Sequence, residues 1–304
     1  MKKHYFNIKQ KIKRLKNWSN NVYFPGFGDM SLLDVMVFFG KGLKHGNITT
    51  RASSVAYKFF IALIPAILVF LCFIPYVPVQ GFQQTFIEFI SSLFPPEIYS
   101  YIDSAIIEIA THQRPDILSI GFIMAIFFSV NGMNGLMQSF NETYHNIDKR
   151  SIYKQYFISL ALVFLMFLIA LIIMGFANLT EGVLDYFVNK NIIKKDITYN
   201  LLKYGKWLFI IVFAVFSISI IYYFAPSYRK KYKEILPGTI FASLLSLVVT
   251  LGLNFYISNI SNLNEFFGSI GTLIVTLLWI YYNAIILLLG FEFNISIKSA
   301  KREK

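Results

Sequence analysis

Seven polar side chains fall inside or at the margins of long apolar runs: Arg51, Tyr57, Lys58, Asn131, Asn134, Asn141 and Glu292. Two cations, a carboxylate, three amides and a phenol can line a polar, partly hydrated cavity that contacts a substrate, because such groups in apolar surroundings require partners. They are poor material for bond-breaking chemistry. The single cysteine, Cys72, lies within an apolar run, so no disulfide or thiolate cluster is available. His4, His45, His112 and His145 are scattered, with none at metal-ligand spacing. "FFGKGLKHG" matches neither of the glycine-rich phosphate-binding spacings. No catalytic residue, metal or other cofactor is therefore expected, and the chain reads as a non-enzyme.

The elements that position these side chains follow from hydropathy. Hydrophobic residues make up 56% of the 304, charged residues 14%, and the mean hydropathy is +0.57, outside what a water-exposed globular surface tolerates. About 20 apolar residues cross a hydrocarbon core of roughly 30 Å. Six runs qualify: about 52–77, 117–140, 157–177, 207–225, 235–257 and 270–291. The expected fold is all-α, a polytopic membrane protein with six transmembrane helices and added amphipathic interfacial helices.

Orientation follows from the excess of Lys and Arg that cytoplasmic segments retain. Most of the 28 fall in residues 1–51, 139–156, 226–234 and the tail from 298. The alternate loops hold Arg114, five lysines in the 178–206 connection, and none in 258–269. Both termini are therefore expected in the cytoplasm. The chain divides into a basic segment 1–50, a transmembrane domain 51–297 and a basic tail 298–304. An acidic external insertion at about 78–116 carries apolar residues at helical spacing.

In the first segment Tyr5, Ile8, Ile12, Leu15 and Val22 share a helical face, with Lys9, Lys11, Lys13, Arg14 and Lys16 on the others. That pattern suits anionic lipid headgroups at the bilayer surface, and no nucleic-acid partner is expected. The following "SLLDVMVFFGKGLKH" is too short to cross and reads as an interfacial lead-in. A homo-oligomer is compatible with these features.

Within the spans, Pro65 removes the hydrogen bond to the Ile61 carbonyl and predicts a structural kink. Asn131 and Asn134 alternate with Gly132 and Gly135, a pattern of helix packing. Thr239, Ala242, Ser243, Ser246 and Thr250 form a small-residue packing stripe. Glu292 comes at the cytoplasmic end of the last span, in the same depth band as Arg51 and, somewhat deeper, Lys58. Pairing the carboxylate with one of these cations would close or line a cavity mouth; a solvated end marker is the alternative.

"RASSVAYKFFIALIPAIL", "NGMNGLMQSFNETY", "YYFAPSYRKKYKEILPGTIFAS" and "FGSIGTLIVTLLWIYYNAIILLLGFEFN" resemble, in order and spacing, the four signatures of the YihY/BrkB family of bacterial inner-membrane proteins. The resemblance covers about residues 35–298. It implies six spans, inward termini, a multi-pass place in the cytoplasmic membrane, an association with virulence and a transport role. Lys58 stands where the family usually has a small residue or tyrosine. The ribonuclease label carried by the family finds no set of carboxylates or histidines here able to hold a metal-activated water. A transporter or exporter of an unidentified substrate is the leading expectation, a membrane scaffold or envelope-assembly factor the second, and a membrane-bound nuclease the last.

Overall fold

The computed structural model describes residues 32–76, 83–84, 87, 103–104, 107–109, 111–142, 150–189, 197–227, 232–259 and 269–303. Among these, all regular structure is helical: α1 (Leu32–His45), α2 (Ile48–Phe73), α3 (Pro115–Asn141), α4 (Ile152–Asn189), α5 (Ile197–Phe224), α6 (Tyr232–Asn259) and α7 (Ser269–Glu303), with a 3₁₀ turn at Ile74–Tyr76. The surface-binding helix expected in residues 1–31, and most of the 78–116 insertion, lie outside the described residues.

Apolar side chains without strand alternation, together with the need to satisfy every backbone N–H and C=O inside hydrocarbon, make helix the only open structure that can cross. Five stretches are long and apolar enough: Ile48–Tyr76, Pro115–Asn141, Ile152–Ile173, Tyr232–Tyr256 and Leu273–Ile297. The described apolar stretch of α5, Leu208–Phe224, is shorter. Two boundaries differ from the sequence expectation. The 178–206 connection is largely helical, because α4 runs on to Asn189 and α5 begins at Ile197; the extension contains no proline, and continuing the helix keeps its backbone groups paired. The last helix does not stop at Phe291 but runs through Glu292 and the basic tail to Glu303. Pro65 is buried within the uninterrupted α2.

The helices form a closed circuit. Each of α2 to α6 packs on the next in sequence, and α7 packs on both α6 and α2. Helices α2 and α3 run antiparallel, since Leu68 and Val69 lie against Gly121, Phe59 against Gly132 and Lys58 against Gly135. The largest buried cluster gathers residues from every helix of the circuit, including Val55, Phe140, Leu162, Tyr222, Ile235 and Phe291. At this end Phe140 of α3, Tyr222 of α5 and Phe291 of α7 meet, with ring centroids 4.4 Å apart for Phe140 and Phe291 and 5.8 Å for Phe140 and Tyr222. None of the three is exposed. They come from alternate helices of the circuit and fill its interior here.

Elsewhere large apolar side chains face outward, as with Ile64, Ile67 and Phe70 of α2 and Ile120, Ile123 and Phe127 of α3. This is the surface that lipid covers. Helix α1 lies against α7. Val35, Phe39, Gly42 and Gly46 recur at i, i+4, i+7 and i+11 and are buried, while Met36 and Val37 are exposed. Phe39 packs edge-on against Phe293 and Phe241.

Candidate functional site

The filled end of the circuit also holds its buried polar groups. Arg51 lies in the first turn of α2, just after a sharp reversal in which Asn47 adopts a left-handed backbone conformation (φ 45°, ψ 42°). Asparagine tolerates this region better than most residues. The reversal turns the Gly46 carbonyl back toward Arg51, whose Nη1 donates to it at 2.7 Å and to Glu292 Oε1 of α7 at 3.1 Å. The side chains are 6% and 0% exposed. The ion pair therefore joins the first and last helices of the circuit across their seam, and of the two cations considered for Glu292 it is Arg51 that pairs.

This pair is incompletely satisfied. Arg51 Nε and Nη2 and Glu292 Oε2 are buried with no hydrogen-bonding partner among the described residues. An added Cβ at Gly42 would sit 3.2 Å from Oε2, so the carboxylate lies directly against the α1 backbone.

The other candidate residues are distributed over different seams. Asn134 Oδ1 accepts from Gln155 Nε2 of α4 at 2.6 Å. Asn141 Oδ1 accepts from the Ser227 N–H at 3.1 Å, tying the end of α3 to the segment after α5. Lys58 folds against α3, where a Cβ at Gly135 would meet its Cδ at 2.6 Å and its Nζ at 2.9 Å. No carboxylate among the described residues is within ion-pair distance of Lys58. Asn131 is half-buried and Tyr57 is exposed. A cavity of about 350 Å³ between α6 and α7, lined by Thr250, Asn254, Thr276 and Trp279 among others, contains none of the seven.

Several residues at this end carry roles that hydropathy could not reveal. Asn294 accepts from the Gly238 N–H at 2.7 Å and donates to the Ile235 carbonyl at 3.1 Å, joining α7 to the first turns of α6. Tyr222 donates to the Leu287 carbonyl at 2.8 Å. Arg150 donates to the carbonyls of Phe224 (3.0 Å) and Pro226 (2.5 Å) at the end of α5. Partial burial lowers the pKa of its guanidinium, which these acceptors and the helix C-terminus still favour as a cation. The small-residue stripe of α6 packs over its first part, with Thr239 and Ala242 buried, Ser243 half-buried and Ser246 bonded to Asn283 of α7 at 2.7 Å, whereas Thr250 at its far end is exposed.

At the circuit's other end the carboxylates of Asp116 and Glu108 raise the pKa of Arg114, Asp116 through its hydrogen bond first. No group of three His, Cys, Asp or Glu that could hold a metal occurs among the described residues.

Asn294→Ala strips a donor and an acceptor from the start of α6 at once. The expected cost is about 1–3 kcal/mol, read as a lowered melting temperature of the solubilised full chain, whereas the exposed Asn254→Ala leaves it unchanged.

The family model described as Virulence factor BrkB matches residues 39–304. Among similar proteins, a ribonuclease-like protein of Bacillus subtilis (strain 168), YfkH, is 25% identical over 257 residues, covering 83% of this chain and 91% of that protein. A UPF0761 membrane protein of Photobacterium profundum is 21% identical over 88% of this chain and 82% of its own length. Another, from Alteromonas mediterranea, is 21% identical over 96% and 95% respectively. No solved structure is a significant match.

Proposed function

We propose that this chain, which belongs to the Virulence factor BrkB family, is a transporter or exporter of the bacterial inner membrane with six spans, both termini in the cytoplasm and no enzymatic activity. The observation that carries the reading is the Arg51–Glu292 pair, buried on the seam that closes the helix circuit. The excess of Lys and Arg supports the cytoplasmic face for this end. The aromatic trio and the ion pair then form a cytoplasmic seal. Lys58 and Asn131, half-buried where α2 meets α3, lie deeper than Arg51 and would border the path behind it, whereas Tyr57 is exposed on the same face of α2 as Ile64.

The scaffold reading draws on the same end, because its interlocked hydrogen bonds also suit a rigid platform. Hydration separates the two. In a Cys72→Ser background, Asn131→Cys is treated with a charged, membrane-impermeant maleimide in inside-out vesicles, with Ala300→Cys as the cytoplasmic reference. A transporter whose inner seal is broken by Glu292→Gln should label roughly ten times faster at Asn131→Cys than one with the pair intact, the factor expected from a shift of about 1.4 kcal/mol between closed and open states. Absence of labelling in both backgrounds would leave the scaffold reading standing.

A further inference from the structure

The first two spans share a polar face at the depth of Lys58. On α2, Thr50, Ser54, Tyr57 and Lys58 recur at i, i+4, i+7 and i+8, and on α3, Asn131, Gly135 and Gln138 recur at i, i+4 and i+7. Thr50, Ser54, Tyr57 and Gln138 are exposed, and Lys58 and Asn131 half-buried. The antiparallel register brings the two faces level, and Lys58 joins them because its ammonium rests on Gly135. Farther along both helices the same faces turn apolar, with Ile61 and Ile64 on α2 and Phe127 and Met124 on α3. Ile64 is 62% exposed and Phe127 60%.

Such a face is unfavourable against acyl chains alone. Lys58 is ten residues into α2, about 15 Å along a membrane helix that with its 3₁₀ extension is roughly 43 Å long. An ammonium at that depth requires a counter-charge or water. Among the described residues its nearest carboxylate along the polar face of α3 is Glu142, two turns beyond Gly135 and about 10 Å farther toward the sealed end. Arg51 and Glu292 neutralise each other. Among the described residues, the fixed charge that remains at this depth is positive. Its surroundings are polar on the sealed side and apolar on the other, which is the profile of an amphipathic anion.

We propose that the joined faces of α2 and α3 hold one anionic phospholipid, its phosphate on Lys58 with Tyr57, Ser54 and Asn131 around the headgroup, and an acyl chain along Ile61, Ile64, Phe127 and Met124. The proposal deepens the transport reading by naming the class of molecule carried. Binding is nevertheless measured without transport, so a bound lipid with no opening of the seal would overturn that reading and leave this one intact.

The full chain is purified with mixed dioleoylphosphatidylglycerol and dioleoylphosphatidylcholine, and retained lipids are counted by native mass spectrometry. The wild type should retain at least one phosphatidylglycerol selectively. Lys58→Gln should lose one and show a fall in selectivity on the order of five- to tenfold, as expected for the loss of one lysine contact or charge-assisted bond to an anionic headgroup. Lys58→Arg should keep it. Gly135→Ala, which retains the charge but crowds the ammonium, should weaken it as well and serves as the second variant if Lys58→Gln does not fold. Replacing Lys9, Lys11 and Lys13 by Gln should leave this lipid in place. Unchanged retention in both Lys58→Gln and Gly135→Ala would overturn the site. Equal retention of phosphatidylcholine would overturn anionic recognition, and displacement by millimolar inorganic phosphate would assign the site to a soluble anion instead of a lipid.

Discussion

Glu292→Lys should reduce the folded protein recovered from membranes at least tenfold, read as the monodisperse peak of a fluorescent fusion on size exclusion. Breaking a buried ion pair from one side costs about 3–5 kcal/mol, because the remaining charge stays buried without a partner. Reversal adds repulsion between two cations. Arg51→Glu combined with Glu292→Arg should restore part of the yield. Recovery stays partial, since the swapped carboxylate cannot donate to the Gly46 carbonyl as Arg51 Nη1 does. Lys58→Glu with Glu292→Lys should restore nothing, because Lys58 rests on Gly135 of α3. Rescue by Lys58→Glu and not by Arg51→Glu would show that Glu292 is paired otherwise in the membrane.

A comparable loss is expected from Gly290→Leu. A Cβ at Gly290 would lie 2.7 Å from both the Ala242 Cβ and the Gly238 carbonyl oxygen, and would also meet the Tyr222 hydroxyl. Backbone of α6 and α7 thus approaches closely here, the means by which membrane helices gain packing without a hydrophobic driving force. Gly290→Ala should cost about 1–3 kcal/mol by overpacking, and Leu should force the helices apart and abolish the folded peak. Gly252 of α6 supplies the contrast, with nothing within 4 Å of its added Cβ. Gly252→Ala should be neutral or slightly stabilising through helix propensity. Equal sensitivity at the two positions would show that glycine is needed in this helix for a reason other than close approach.

The sequence by itself determined that the chain is helical and embedded in a membrane. Long apolar runs have one outcome in hydrocarbon, where backbone groups must bond within their own segment. It also placed a lone carboxylate and two cations at similar depth, since rise per residue converts position along a helix directly into depth. Depth, however, carries no information on rotation or on neighbours. Only the circuit that brings α7 back onto α2 decided between Arg51 and Lys58, and the separation of Asn134, Asn141 and Glu292 onto different seams arose in the same way.

Glu292 read as the end of a span because the apolar pattern thins after Phe291. In the tertiary structure Phe293, Asn294, Ile295, Ser296 and Ile297 continue the helix, and all but the half-buried Phe293 are buried, because α1 and α6 cover that surface. Asn294, Tyr222 and Gly290 gave no hydropathy signal for a related reason. Each acts on the backbone of another helix, and such a partner is defined only once the helices have packed.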